Sequence, residues 1–274
     1  MADIIEQQEI PFQGRRMRNA RVRRGIFLLP SLFTAANLFC GYYAVVATLI
    51  GGRSDFDHAA IAIGLAIVFD SLDGRVARMT GTTTQFGVQF DSLADVVSFG
   101  VAPAVMAYSW GVRGLHITQG GISQFVGDLA WGSCLLFLIC CAWRLARFNI
   151  QGMAPGSSKY FVGMPTPAAA GVVAAMVHGF KEPLHDWRWS IAWLLMVGSL
   201  GGLMTSTIRY SSFKEIPWKQ KQPSLAVVLL ILGLWVIWKF SEPVLVIFTC
   251  TYALAGVALH LVRMLRRRAS SRTM

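Results

Sequence analysis

Charged side chains are scarce in this chain. They make up 14% of its 274 residues, against about 25% in soluble domains. Hydrophobic residues reach 54%, and the mean hydropathy is +0.51. This excludes a soluble domain with an ordinary polar surface and predicts an all-α, polytopic membrane helix bundle. Acidic residues are scarcer than basic ones, 14 against 25, which leaves a net charge of +11. So basic a chain invites a nucleic-acid reading. Its Lys and Arg, however, cluster at the ends of apolar segments, as anchors for anionic head groups do, so membrane lipids are the expected partner and no nucleic acid is. Cysteine pairing is absent too. Cys40, Cys134, Cys140, Cys141 and Cys250 all lie in apolar stretches without a C-x-x-C pair, which argues against zinc and disulfides. There is no Gly-rich phosphate loop and no Ser-centred nucleophile elbow, so nothing suggests a covalent enzyme intermediate. The polar, acidic start (1–13) and the length of the first apolar run argue against a cleaved signal peptide.

A helix needs about 20 residues to cross the hydrocarbon core. Eight segments qualify: 27–50, 58–79, 88–110, 127–147, 166–181, 189–208, 223–240 and 242–263. The fifth is short and rich in Ala and Gly, which predicts close packing against its neighbours. The last two meet at Ser241, Glu242 and Pro243 in a tight helical hairpin. No repeat or linker divides the chain, so three parts are expected: a basic N-terminal segment (1–26), a transmembrane domain (27–263) and a basic C-terminal tail (264–274). The segment holding Arg15, Arg16, Arg18, Arg21, Arg23 and Arg24 reads equally as an interfacial helix or as a disordered basic tail. With eight spans and a cytoplasmic N-terminus, all of the 25 Lys and Arg lie inside except Arg53, Arg113, Lys181, Arg188 and Lys239. Such asymmetry predicts a multi-pass protein of the cell's inner, cytoplasmic membrane with both termini cytoplasmic.

Against this sparse charge, four aspartates stand close together. Asp70 and Asp73 are spaced i, i+3, and Asp91 and Asp95 are spaced i, i+4, so on helices each pair shares one face. Topology puts Asp70 and Asp73 at the cytoplasmic end of the second helix and Asp91 and Asp95 at the start of the third. Ionised carboxylates beside apolar segments are costly and mark function. Four together repel unless cations neutralise them. All-oxygen ligation favours Mg²⁺, Mn²⁺ or Ca²⁺, and two such ions about 4 Å apart can clamp a phosphate. Gly74 lets a ligand approach the backbone, Arg78 suits a phosphate, and Thr84 can donate a hydrogen bond. The histidines His58, His116, His178, His185 and His260 read as boundary, loop or helix-end residues, and spacing places none of them near these aspartates.

The pattern D-x-x-D-G-x-x-A-R-x(8)-G-x-x-x-D-x-x-x-D, carried by Asp70, Asp73, Gly74, Ala77, Arg78, Gly87, Asp91 and Asp95, resembles the signature of the CDP-alcohol phosphatidyltransferase family. The resemblance implies a six-helix membrane core, here with two helices more, and often a homodimer. It implies displacement of CMP from a CDP-linked lipid by an alcohol. By matching position, Asp70, Asp73 and Asp91 would be metal ligands, Asp95 would be both ligand and base, and Gly74, Arg78 and Thr84 would touch the CDP moiety. Upstream, P-S-L-F-T-A-A-N (30–37) is similar to a family segment in which Ser31 replaces the usual Asn, so Thr34 and Asn37 carry over to the nucleotide-lipid site.

The flanking text is similar to one branch, the integral-membrane CDP-diacylglycerol–serine O-phosphatidyltransferases. The matching stretches are A-N-L-F-C-G (36–41), D-S-L-A-D-V-V-S-F-G-V-A-P-A (91–104), R-L-A-R-F-N (144–149), F-V-G-M-P-T-P-A-A-A (161–170) and T-I-R-Y-S-S-F-K (207–214). The resemblance implies CDP-diacylglycerol and L-serine as substrates. Serine is a zwitterion whose carboxylate needs a cation. Arg144, Arg147 and Arg209 lie at cytoplasmic helix ends and read either as that cation or as lipid anchors; Asn149 and Ser98 are further candidates. Another acceptor (glycerol phosphate, inositol phosphate or choline) stays open, as does a membrane cation transporter, whose acidic site would sit nearer the bilayer midplane.

Overall fold

The structure is a computed structural model that describes residues 14–81, 84–115, 121–152, 161–210 and 241–270. It is built from helices: α1 (Gly14–Ile50), α2 (Arg53–Thr80), α3 (Gln85–Asp95), a π-helical segment (Val96–Val101), α4 (Ala102–Val112), α5 (Gly121–Gly152), α6 (Thr166–Phe180), α7 (Trp187–Thr205) and α8 (Ser241–Ser270). α3, the π segment and α4 form one continuous rod. Helices lie over seven of the eight expected segments, and the remaining one, 223–240, is outside the described residues. The arginine-rich stretch 15–24 is the opening of α1. Among the described residues, three stretches are long and apolar enough to cross a membrane: Ser31–Ile50, Gln85–Val112 and Gln124–Ile150. The chain is thus a multi-pass membrane protein.

The turns follow from residue chemistry. α1 ends at Gly51, whose φ of +74° is left-handed and suits glycine. Asp55 then accepts a hydrogen bond from Gly52 N–H (3.0 Å) and starts α2. Arg113, just past α4, donates to the last carbonyls of α1: Nη1 to Thr48 O and Leu49 O (3.3 Å each) and Nη2 to Ile50 O (3.2 Å). These are helix-end acceptors with no partner inside their own helix. α6 and α7 are tied at their base by a two-residue antiparallel pair, β1 (Phe161–Val162) with β2 (Arg209–Tyr210). Gly163 beside it has φ +89°, and a Cβ there would sit 2.3 Å from Met204 O.

The interior is made of small and aromatic side chains. Ala44, Ala59, Ala60 and Ala66 are buried, and α1 packs along α2. Small residues permit the close approach on which helix association in lipid depends, because burial from lipid brings no hydrophobic gain. Trp110 and Trp193 meet edge-on with centroids 4.8 Å apart, and Trp193 Nε1 donates to Ala107 O (3.0 Å). Outward-facing Phe39, Leu49, Leu65, Trp131, Trp143 and Ile139 are exposed, as suits a surface solvated by acyl chains.

Candidate active site

The site is built on the α2–α3 hairpin. Gly81 closes α2 in the left-handed conformation (φ +63°), its N–H bonded to Ala77 O. Thr84 opens α3, its hydroxyl oxygen accepting from Gly87 N–H (3.0 Å). The expected segments 58–79 and 88–110 meet α2 and α3 closely at this hairpin. Thr80 and Gln85 are the ends, which sets Asp73 and Asp91 each about 10 Å inside the hairpin at 1.5 Å per residue.

The aspartates converge. One carboxylate oxygen each from Asp70, Asp91 and Asp95 lies within 4.8 Å of the other two. Asp73 and Asp95 are buried. The carboxyl groups of Asp73 and Asp91 are in hydrogen-bond contact. Two ionised carboxylates hold that arrangement only around a shared proton or a cation. Asp91 Oδ1 is buried with no hydrogen-bond partner among the described residues, an uncommon state for a buried oxygen. A hard, oxygen-seeking divalent cation satisfies both conditions, so these residues fit one.

α1 sets the aspartates in place. Thr34 Oγ1 donates to Asp73 Oδ2 and Asn37 Nδ2 to Asp95 Oδ1, both at 3.0 Å. Thr34 and Asn37 were expected at the nucleotide-lipid site; the structure spends these donors on one aspartate from each pair. The π segment starts directly after Asp95, with Ala102 N–H reaching back to Val97 O. Such bulges re-aim side chains and recur at functional sites. Its Ser98 donates to Asn37 O (2.9 Å). A Cβ on Gly41 would lie 2.4 Å from Ser98 Oγ and 2.7 Å from Ser98 Cα, so a glycine there lets α1 touch the π segment. Periodicity did not reveal this segment; the only signal is Gly41, four residues past Asn37.

The other candidates separate. Gly74 is half-buried, and the Arg78 guanidinium lies back over it, 3.6 Å from where its Cβ would be. Arg144 of α5 is half-buried. Its Nη1 donates to Thr166 Oγ1 (3.4 Å), and its charge acts on Asp95. Arg144 Nε is buried and has no partner among the described residues. Arg147 is close enough to Arg144 for their charges to interact. Ser98 is fully buried in the α1 contact, and Asn149 Nδ2 donates to Ser92 Oγ of α3 (2.8 Å); both side chains tie helices together. Arg209 lies in β2, and its side chain is outside the described residues.

A second polar constellation lies at the far end of the bundle. His178, near the end of α6, contacts Asp57 of α2 through Nδ1 and Ser241 of α8 through Nε2 (2.9 Å). Asp57 is about 20 Å along α2 from Asp70, so this histidine takes no part in the aspartate site.

The CDP-alcohol phosphatidyltransferase pattern matches residues 27–203. The chain is similar to the CDP-diacylglycerol–serine O-phosphatidyltransferase of Helicobacter pylori (strain ATCC 700392 / 26695), at 37% identity over 207 residues, covering 75% of this chain and 81% of that one. It is similar to the protein of the same name from Methanocaldococcus jannaschii, at 34% over 190 residues, covering 69% and 77%. It also resembles the archaetidylserine synthase of Methanothermobacter thermautotrophicus, at 36% over 197 residues, covering 71% and 74%. With the signature aspartates gathered on one hairpin and the family pattern running through α1 to α7, the chain belongs to the CDP-alcohol phosphatidyltransferase family.

Proposed function

We propose that this enzyme transfers the phosphatidyl group of CDP-diacylglycerol to the hydroxyl of L-serine, giving phosphatidylserine and CMP. The observation that carries the reading is the convergence of Asp70, Asp91 and Asp95, with a buried Asp91 oxygen that has no hydrogen-bond partner among the described residues and an Arg144 guanidinium that feels Asp95. The names of the relatives point to the same acceptor.

Asp70, Asp73, Asp91 and Asp95 would hold divalent cations, Mg²⁺ or Mn²⁺, two per site. When bound, these supply charge stabilisation at the phosphate oxygens. Asn37 holds the Asp95 carboxyl in place. Asp95 takes the proton of the serine hydroxyl as that oxygen bonds to the β-phosphorus. The bond from that phosphorus to the CMP oxygen breaks in line, and CMP leaves. Gly74 and Arg78 form the cradle for the diphosphate, with the Thr84 hydroxyl at its rim. Thr34 and Asn37 serve the nucleotide-lipid site through the aspartates. Arg144, with Arg147 and Arg209, grips the serine carboxylate. With eight spans and the basic residues inside, this site would lie at the cytoplasmic face of the inner membrane with both termini cytoplasmic, and the acyl chains would stay in the bilayer.

The test supplies the purified protein with CDP-diacylglycerol and each of serine, glycerol phosphate, inositol phosphate and choline, and follows CMP release. Serine is expected to give the fastest turnover; faster release with another alcohol overturns the acceptor assignment. Exhaustive chelation should abolish turnover, and Mg²⁺ or Mn²⁺ should restore it. The homodimer implied by the family resemblance predicts a protein mass near twice 30.1 kDa by light scattering in detergent.

A further inference from the structure

α8 lies beyond the residues that match the family pattern, which end at 203. It is nevertheless seated firmly on the core. At its start, Ser241 meets His178 and Glu242 pairs with Lys181. It then runs antiparallel down α6. A Cβ on Gly179 would lie 3.0 Å from Val246 Cγ2, and one on Gly171 would lie 3.9 Å from Thr249 Cγ2. The next turn carries Tyr252, half-buried against the core. It travels toward the end of α6 where Thr166 holds Arg144. Arg144 and Tyr252 interact electrostatically, and Arg144 also feels Asp95. Packed against α6 at this level, α8 brings Tyr252 to the side of the core where Thr166 holds Arg144.

We propose that α8 completes the acceptor pocket and that Tyr252 is a positioning residue: with Thr166 it holds the Arg144 guanidinium facing the acceptor's carboxylate. The inference rests on the serine reading and deepens it. It assigns acceptor choice to an arginine on the shared core that a helix outside that core holds in place. A planar guanidinium fixed on two sides presents its remaining N–H groups in one orientation, and one orientation is what a bidentate carboxylate contact requires. Tyr252 does not touch the reacting atoms, so its loss should leave the chemical step intact.

The experiment is steady-state kinetics on the full-length protein with Tyr252→Phe, which keeps the ring and its packing. Wild-type turnover of serine is measured first in the same assay; absence of serine-dependent CMP release overturns both this inference and the serine reading. Given serine turnover, Tyr252→Phe should raise the serine KM about tenfold, the effect of a charged group losing one polar partner. kcat and the KM for CDP-diacylglycerol should stay within about twofold. O-methylserine keeps the carboxylate but has no hydroxyl to react, and it should lose the same factor as a competitive inhibitor. A second variant, Arg144→Lys, alone and combined with Tyr252→Phe, closes a cycle in which the two changes should be non-additive. An unchanged serine KM, a parallel rise in both KM values, or additive behaviour in the cycle overturns the inference and leaves the serine reading standing.

Discussion

Asp95 combines burial, a fixed hydrogen bond and carboxylate neighbours in one side chain. Asn37 donates to its Oδ1 at 3.0 Å. An Asn at this position keeps an acceptor for that bond but cannot take a proton. Asp95→Asn should therefore fold normally and lose about 10²–10⁴-fold in kcat, read as CMP release beside an unchanged unfolding midpoint. Gly41 is the opposite case, a residue with no chemistry of its own. Because a Cβ there would lie 2.7 Å from the backbone Cα of Ser98, Gly41→Val has no flexible neighbour to displace. We expect a loss of about 1–3 kcal/mol by overpacking, seen as a lower unfolding midpoint in detergent and reduced activity. The aspartate spacing was legible because i, i+3 and i, i+4 pairs share a helix face wherever the helix goes. The bonds Thr34–Asp73 and Asn37–Asp95 were not, because they span 39 and 58 residues and exist only once α1 lies against the hairpin.

Between elements, polar contacts decide how the helices are held. The α2–α3 hairpin is capped by Gly81 and Thr84, and both caps follow from ordinary residue preferences. The π segment after Asp95 does not, since Val-Val-Ser-Phe-Gly-Val reads as plain apolar helix; its extra residue per turn is stabilised by contacts with α1 and α5. The bridge from Asp57 through His178 to Ser241 likewise joins three helices far apart in the chain. His178→Ala removes both contacts and should lower stability by about 1–2 kcal/mol. Thermal unfolding checks this, and proteolysis should reveal α8 opening at its N-terminal end. As this bridge stands about 20 Å from Asp70 along α2, the KM for CDP-diacylglycerol should hold at temperatures where the variant stays folded.

For the molecule as a whole, orientation and site location are linked. If the aspartates face the cytoplasm, the α2–α3 hairpin is inside and the α1–α2 turn is outside. Met79 and Arg53 are exposed at these two ends. In intact cells an impermeant maleimide should label Arg53→Cys and spare Met79→Cys, with Met79→Cys labelled after lysis. The wild type serves as the blank, because its five cysteines lie in apolar stretches. The reverse pattern overturns the orientation.

By itself the sequence determined the membrane class, seven of the helices now described, the metal-fitting aspartates and the family, because hydropathy and short spacings act locally and survive without packing. The tertiary structure decided how far the four aspartates sit inside their hairpin, which α1 donors hold them, and that Arg144 feels the charge of Asp95. It also turned Ser98 and Asn149 into ties between helices and laid α8 along α6. These depend on which helix faces touch, and a face is chosen by the fit of small residues across an interface, a property of two segments together that neither segment's sequence contains alone.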